Sequence, residues 1–169
     1  DSIERMVGAM RSQPASTDRV AIALGVRDVP NGAPSGIRFT PRQRIAVNRI
    51  SALIVVNALL FQEILSRSDE RVQALMRYRG NGELLSAIRD HWKFVLTKIN
   101  YWPIFSVAHD ILECLSVDRQ LEEATNHLIQ AALRIVECRA ALRHDLAGRI
   151  YHRLLEESKY LGAYYTSVP

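Results

Sequence analysis

The chain has 169 residues, 48% of them hydrophobic and 24% charged, with a net charge of +4 at neutral pH. That composition belongs to a folded domain with a real core and excludes a disordered chain. The pI of about 9.3 mildly favours a polyanionic partner. All of the 22 basic residues except Lys93, Lys98 and Lys159 are arginines, whose planar fork suits bidentate contacts to phosphate and to base edges. A general preference for arginine explains the same count more simply. Cys114 and Cys138 stand far apart, without a CxxC or a Cys/His cluster, so a zinc site is not expected. Two buried thiols in a reducing cytoplasm is the plain reading. The most apolar run, Ala52–Phe61, is interrupted by Asn57 and is shorter than the roughly 20 residues a bilayer needs. No signal peptide is visible, so a cytoplasmic chain without a membrane partner is expected.

In chain order, Ser2–Met10 predicts a short helix, and Asp18–Leu24 reads equally as helix or strand. Pro30, Gly32, Pro34 and Gly36 then impose a loop. Thr40 is a helix N-cap, with Pro41 at the first helical position. The helix it opens runs to about Ser66, with a stripe of Ala46, Ile50, Leu53, Asn57, Leu60, Phe61 and Ile64. Apolar residues nearly surround its middle, which predicts the central buried helix. Asn57, inside that run, needs a hydrogen-bonding partner on another helix or on a backbone carbonyl.

A helix is predicted over Asp69–Tyr78, stopped by Gly80-Asn81-Gly82, and an amphipathic one over Glu83–Ile99. Asn100–Pro103 is a joint, because Pro103 disfavours helix at Trp102. Ile104–Leu115 follows. Asp118 caps a long helix to about Arg143, with Leu121, Ala124, Leu128, Ala131, Ile135, Cys138 and Leu142 inward. A last helix covers Asp145–Tyr160 and is stopped by Gly162. The fold class is therefore all-α, a bundle of about six or seven helices with an extended C-terminal tail. Residues 1–40 hold short helices and the Pro/Gly loop, residues 41–160 the bundle, and residues 161–169 the tail.

Basic residues gather in three places. Arg38, Arg42, Arg44 and Arg49 lie in a stretch, residues 37–49, that contains no acid. This uncompensated cluster is the best candidate for phosphate contact and the expected DNA-binding set. Arg67, Arg71, Arg77 and Arg79 are diluted by Asp69 and Glu70. Arg134, Arg139, Arg143, Arg149 and Arg153 run into the last helix. Ordinary solvated helix faces would give the same pattern. His109-Asp110 and His144-Asp145, with His91, His127 and His152, allow an HD-type metal-dependent phosphohydrolase as an alternative, though paired surface residues suffice to explain them. Trp92, Tyr101 and Trp102 flank the joint. Packing is the simpler role for them, and base stacking would require exposure. There is no glycine-rich phosphate loop, no GxSxG and no P-loop, so no catalytic or metal-binding residue is assigned.

The most specific stretch is Asp145-Leu-Ala-Gly148-Arg-Ile-Tyr151-His-Arg-Leu-Leu155-Glu-Glu-Ser-Lys159-Tyr-Leu-Gly162-Ala-Tyr164-Tyr165-Thr166. It resembles the segment preceding the catalytic domain in adenine-specific (N6) DNA methyltransferases of restriction–modification systems. There a helix containing Gly-x-x-Tyr leads into Gly-x-[Phe/Tyr]-[Tyr/Phe]-Thr-Pro. Gly162, Tyr164, Tyr165 and Thr166 match, while Ser167 stands where that family has proline. A shorter likeness spans Ile99–Phe105 with Ala108. The resemblance implies that Tyr165 and Thr166 border the S-adenosylmethionine pocket. It also implies a helical domain that clamps double-stranded DNA against a methyltransferase domain of the same chain. That second domain would carry the cofactor loop and an Asn/Asp-Pro-Pro-Tyr/Phe motif for a flipped adenine. The chain begins without Met and stops inside the motif, so a piece of a longer protein is expected, itself neither catalytic nor cofactor-binding. A helical protein–protein interaction module is the other alternative.

Overall fold

The structure is a computed structural model that describes residues 1–26, 39–78 and 82–138. The described residues form six α-helices and no strand. The first two are α1 (Ser2–Arg11) and α2 (Pro14–Ala23), and the next two α3 (Pro41–Leu65) and α4 (Leu84–Phe94). The last two are α5 (Trp102–Cys114) and α6 (Arg119–Glu137). The expected all-α bundle is what forms, and the ambiguous stretch Asp18–Leu24 falls within the helix α2 and its C-cap. The predicted helix Asp145–Tyr160 and the tail lie outside the described residues, as does the Pro/Gly loop.

α3 organises the bundle. It packs against α1, α2, α5 and α6, and α1 also packs against α6. Its start follows from local chemistry. Thr40 Oγ1 accepts from the Gln43 amide at 3.2 Å, and Gln43 Oε1 accepts from the Thr40 amide at 2.8 Å, a reciprocal cap ahead of Pro41. Burial reaches Val47, Ala52, Val55, Val56, Ala58 and Leu59 as well as most of the predicted stripe, so the helix is enclosed on nearly every side. At 25 residues it is long and apolar enough to cross a membrane, which corrects the expectation drawn from Ala52–Phe61 alone. However, 72% of its apolar window is inside the fold, as in the core helix of a soluble protein.

Three stripe positions differ from expectation: Ile64 is 41% exposed, and Asn57 and Phe61 are only half-buried. The amides that are buried are Asn48 and Gln62. Asn48 Oδ1 accepts from Thr17 Oγ1 at 2.9 Å, tying α2 to α3. Gln62 Oε1 accepts from Trp92 Nε1 at 2.7 Å. Its Nε2 donates to the Gln73 carbonyl at 2.8 Å and to Tyr78 Oη at 3.1 Å. Trp92 is fully buried, and its ring meets Phe105 at 5.8 Å between centroids.

Residues Asp69–Tyr78 do not form the predicted helix, and only the 3₁₀ turn Leu75–Tyr78 is helical. The physical reason is that side chains, two of them from other elements, take up the backbone donors. Asp69 Oδ1 accepts from the Arg71 amide at 3.0 Å, His91 Nε2 from the Gln73 amide at 3.0 Å, and Glu63 Oε2 from the Leu75 amide at 2.9 Å. The predicted helix Glu83–Ile99 is divided into α4 and a π-helical turn, Val95–Ile99, closed by Asn100 at φ 71°. Asparagine tolerates that left-handed conformation better than most residues. The next helix then starts at Trp102, ahead of the predicted Ile104, because Pro103 fits the first turn, where its missing N–H is harmless.

Asp118 caps α6, accepting from the Leu121 amide at 2.7 Å. The buried face runs Leu121, Ala124, Leu128, Ala132 and Val136, turning away from the predicted Ala131, Ile135 and Cys138. Cys138 is exposed and Cys114 half-buried, both free, which corrects the expectation of two buried thiols. Replacing Gln62 with Leu strands the Trp92 indole, the Tyr78 hydroxyl and the Gln73 carbonyl. It should cost about 2–4 kcal/mol in urea unfolding. Asn57→Leu should change stability by under about 1 kcal/mol. Equal losses would overturn this assignment of the buried amide.

Candidate nucleic-acid interface

The first basic cluster straddles the start of α3. Arg38 lies outside the described residues. Arg42 sits in the first helical turn, exposed and with no ion pair. Arg44 does not share its freedom. Its Nε and Nη2 donate to Asp18 Oδ1 and Oδ2 at 2.7 and 2.6 Å, a fork-to-fork pair across to α2. That hydrogen-bonded carboxylate holds the Arg44 guanidinium above its ordinary pKa. Arg49 lies 3.9 Å from Glu4 of α1. A cluster with no acid nearby in sequence therefore has acids nearby in space, which corrects its reading as uncompensated. Among the described members of the cluster, Arg42 keeps its charge available.

In the second cluster Arg71 and Arg67 face acids, Arg77 is exposed without an ion pair, and Arg79 lies outside the described residues. Arg71 makes a two-pronged pair with Asp69 at 2.9 and 2.8 Å, and the Asp69 carboxyl is held below its ordinary range by those bonds. Arg67 lies 4.0 Å from Glu63. Of the third cluster, Arg134 is exposed near the end of α6, and Arg139, Arg143, Arg149 and Arg153 lie outside the described residues. So do Tyr165 and Thr166.

Two arginines that no sequence pattern marks have structural work. Arg19 of α2 donates to the Cys114 carbonyl at 2.7 and 3.2 Å. Arg89 of α4 donates to the Leu112 and Leu115 carbonyls. Both thus satisfy carbonyls at the C-terminal end of α5, where a cation also complements the helix dipole. Their partners are far away in sequence, so no local pattern announces them.

The histidines do not converge. His109 lies 3.7 Å from Asp110 and 3.9 Å from Glu113, His127 is exposed, and His91 is buried with its Nε2 accepting from the Gln73 amide. Among the described residues no three His, Cys, Asp or Glu side chains gather as a metal would need. His144-Asp145 lies outside them. Of the joint aromatics, Trp92 is core, Tyr101 is half-buried and Trp102 is 55% exposed.

No family model, curated protein or solved structure matches the chain.

Two outcomes follow from this geometry. In binding to labelled duplex DNA at low salt, Arg42→Ala should reduce the slope of log affinity against log salt by about 0.9, the share of one phosphate contact. Arg44→Ala should leave the slope unchanged, because Asp18 already holds that guanidinium; equal effects would mean the pair opens on DNA. The second concerns His91. Burial lowers its pKa below 6.5, so folding favours the neutral imidazole. Stability contributed by the neutral form is complete above 6.5 and declines as the pH falls through that value toward the folded-state pKa. His91→Gln removes that titration, so the acid limb of a stability-against-pH curve should flatten. An unaltered acid limb would contradict the assignment.

Proposed function

We propose that residues 1–169 are the helical DNA-contacting region of an S-adenosylmethionine-dependent N6-adenine DNA methyltransferase, acting in restriction–modification or related defence. The observation that carries the reading is the run Gly148 to Thr166, which resembles that family's entry into its catalytic domain at Gly148, Tyr151, Gly162, Tyr164, Tyr165 and Thr166. The helical body supports it as a scaffold, with Arg42 free to meet phosphate at the start of the longest helix. Chemistry in this reading belongs to a following domain. There an Asn/Asp-Pro-Pro-Tyr/Phe motif would receive the flipped adenine. Thr166, near the methionine end of the cofactor, would offer its hydroxyl and amide to the carboxylate. A cytoplasmic setting belongs to the same reading.

The test is made in the full-length protein with Thr166→Val, measuring cofactor and DNA affinity separately. Weaker S-adenosylmethionine binding with DNA binding retained is the expected outcome; unchanged cofactor affinity sinks the assignment. Residues 1–169 alone should give no heat of S-adenosylmethionine binding in calorimetric titration, and tight binding there would place the pocket within the helical region instead.

A further inference from the structure

We propose that the joint between α4 and α5 is a binding surface for an unpaired nucleic-acid strand, with Trp102 and Phe94 as stacking faces and Lys93 and Lys98 as phosphate contacts. The backbone at the joint sorts its side chains in two directions. Trp92, Val95, Leu96 and Phe105 go to the core, whereas Lys93, Phe94, Thr97, Lys98, Asn100 and Trp102 face outward. The π-helical turn and the left-handed Asn100 produce that sorting, and such local departures from α-helix recur at functional sites.

Exposure is the first observation. Trp102 is 55% and Phe94 40% exposed, although a tryptophan side chain gains more than almost any other by burial. Phe94 stacks loosely beside the His91 ring, with centroids 6.1 Å apart and planes inclined by 22°.

Charge is the second and independent observation. No acid occurs between Asp90 and Asp110. Lys93 and Lys98 are the two lysines of the described residues, both are exposed, and neither forms an ion pair. This contrasts with Arg44 and Arg71, each held by a carboxylate, and with Arg19 and Arg89, each bound to carbonyls.

Unpaired cations interleaved with exposed ring faces match a single strand. Its phosphates attract the lysines, and its unstacked bases offer the π-faces that a duplex conceals. Thr97 and Asn100 add polar groups able to reach base edges. An anionic bilayer is less well matched, since two lysines contribute weakly there and the outward large side chains at the turn are aromatic. The inference rests on exposure and charge at the joint, independently of the methyltransferase reading and of Arg42.

Of the chain's two tryptophans, Trp92 is sealed in the core and Trp102 faces solvent, so intrinsic fluorescence reports the joint directly. The 169-residue chain is titrated at low salt with oligothymidylate and oligouridylate of about twelve nucleotides, a length within the usual site size. A duplex of equal length and phosphatidylserine-containing vesicles are titrated in parallel. Quenching of the exposed component by the single strands, above that by duplex, is expected. In anisotropy with a labelled strand, Trp102→Ala should weaken binding about tenfold and Trp102→Phe much less. Lys93→Ala with Lys98→Ala should make the salt dependence shallower by roughly 1.4 in log–log slope. Unchanged Trp92 emission verifies that each variant is folded. Three outcomes overturn the proposal: no quenching by either oligonucleotide, quenching by vesicles alone, or single-strand affinity indifferent to Trp102→Ala.

Discussion

A helix enclosed on nearly every side must satisfy its own polar groups inside the protein, and that constraint shapes the rest of this bundle. α3 carries Asn48, Gln62 and Glu63 into the interior. Each is answered by another element: Asn48 by Thr17 of α2, Gln62 by Trp92 of α4 and by Tyr78, and Glu63 by the Leu75 amide. Because an unpaired buried polar group costs about as much as a substantial part of a domain's net stability, these contacts fix register as well as add energy. Burial pushes the Tyr78 hydroxyl's pKa up to about 12, so it remains a neutral member of that network across the physiological range. The peptide of Gln73 is held from both sides, its N–H by His91 of α4 and its carbonyl by Gln62 of α3. An irregular segment is thereby fastened between two helices.

The same accounting divides the cations. An arginine-rich composition suggested phosphate binding, but the fold uses Arg19 and Arg89 to finish α5 and pairs Arg44 and Arg71 with carboxylates. Among the described residues, charge available to a polyanion remains at Arg42 and at the lysines of the α4–α5 joint, and at Arg11, Arg77 and Arg134. Function in this reading depends on what the fold leaves unpaired, a smaller set than composition implies.

Legibility from sequence followed the range of the interaction. The caps at Thr40 and Asp118 were readable because donor and acceptor lie within a few residues. The buried character of α3 was readable from its density of apolar residues. The segment 69–78 was misread as helix because the groups that claim its amides, Glu63 and His91, come from other elements. Asn57 was singled out for its place in an apolar run, yet burial selects Asn48 and Gln62, which that pattern did not mark. The Asp18–Arg44 pair was hidden by a sequence separation of 26 residues. At the joint, the exposure of Trp102 could not be read from sequence, although the acid-free stretch around Lys93 and Lys98 was there to be noticed. The resemblance over Gly148–Thr166 remains wholly a statement about sequence.

Side chains of α3 and α4 pin the segment that ends at Tyr78. Amide hydrogen exchange resolved at Gln73 and Leu75 tests this pinning most directly. The two amides should exchange slowly, with protection approaching that of the α3 interior, and His91→Ala should deprotect Gln73 while leaving Leu75 largely protected through Glu63. Exchange at both positions as fast as in an open loop would contradict the claim.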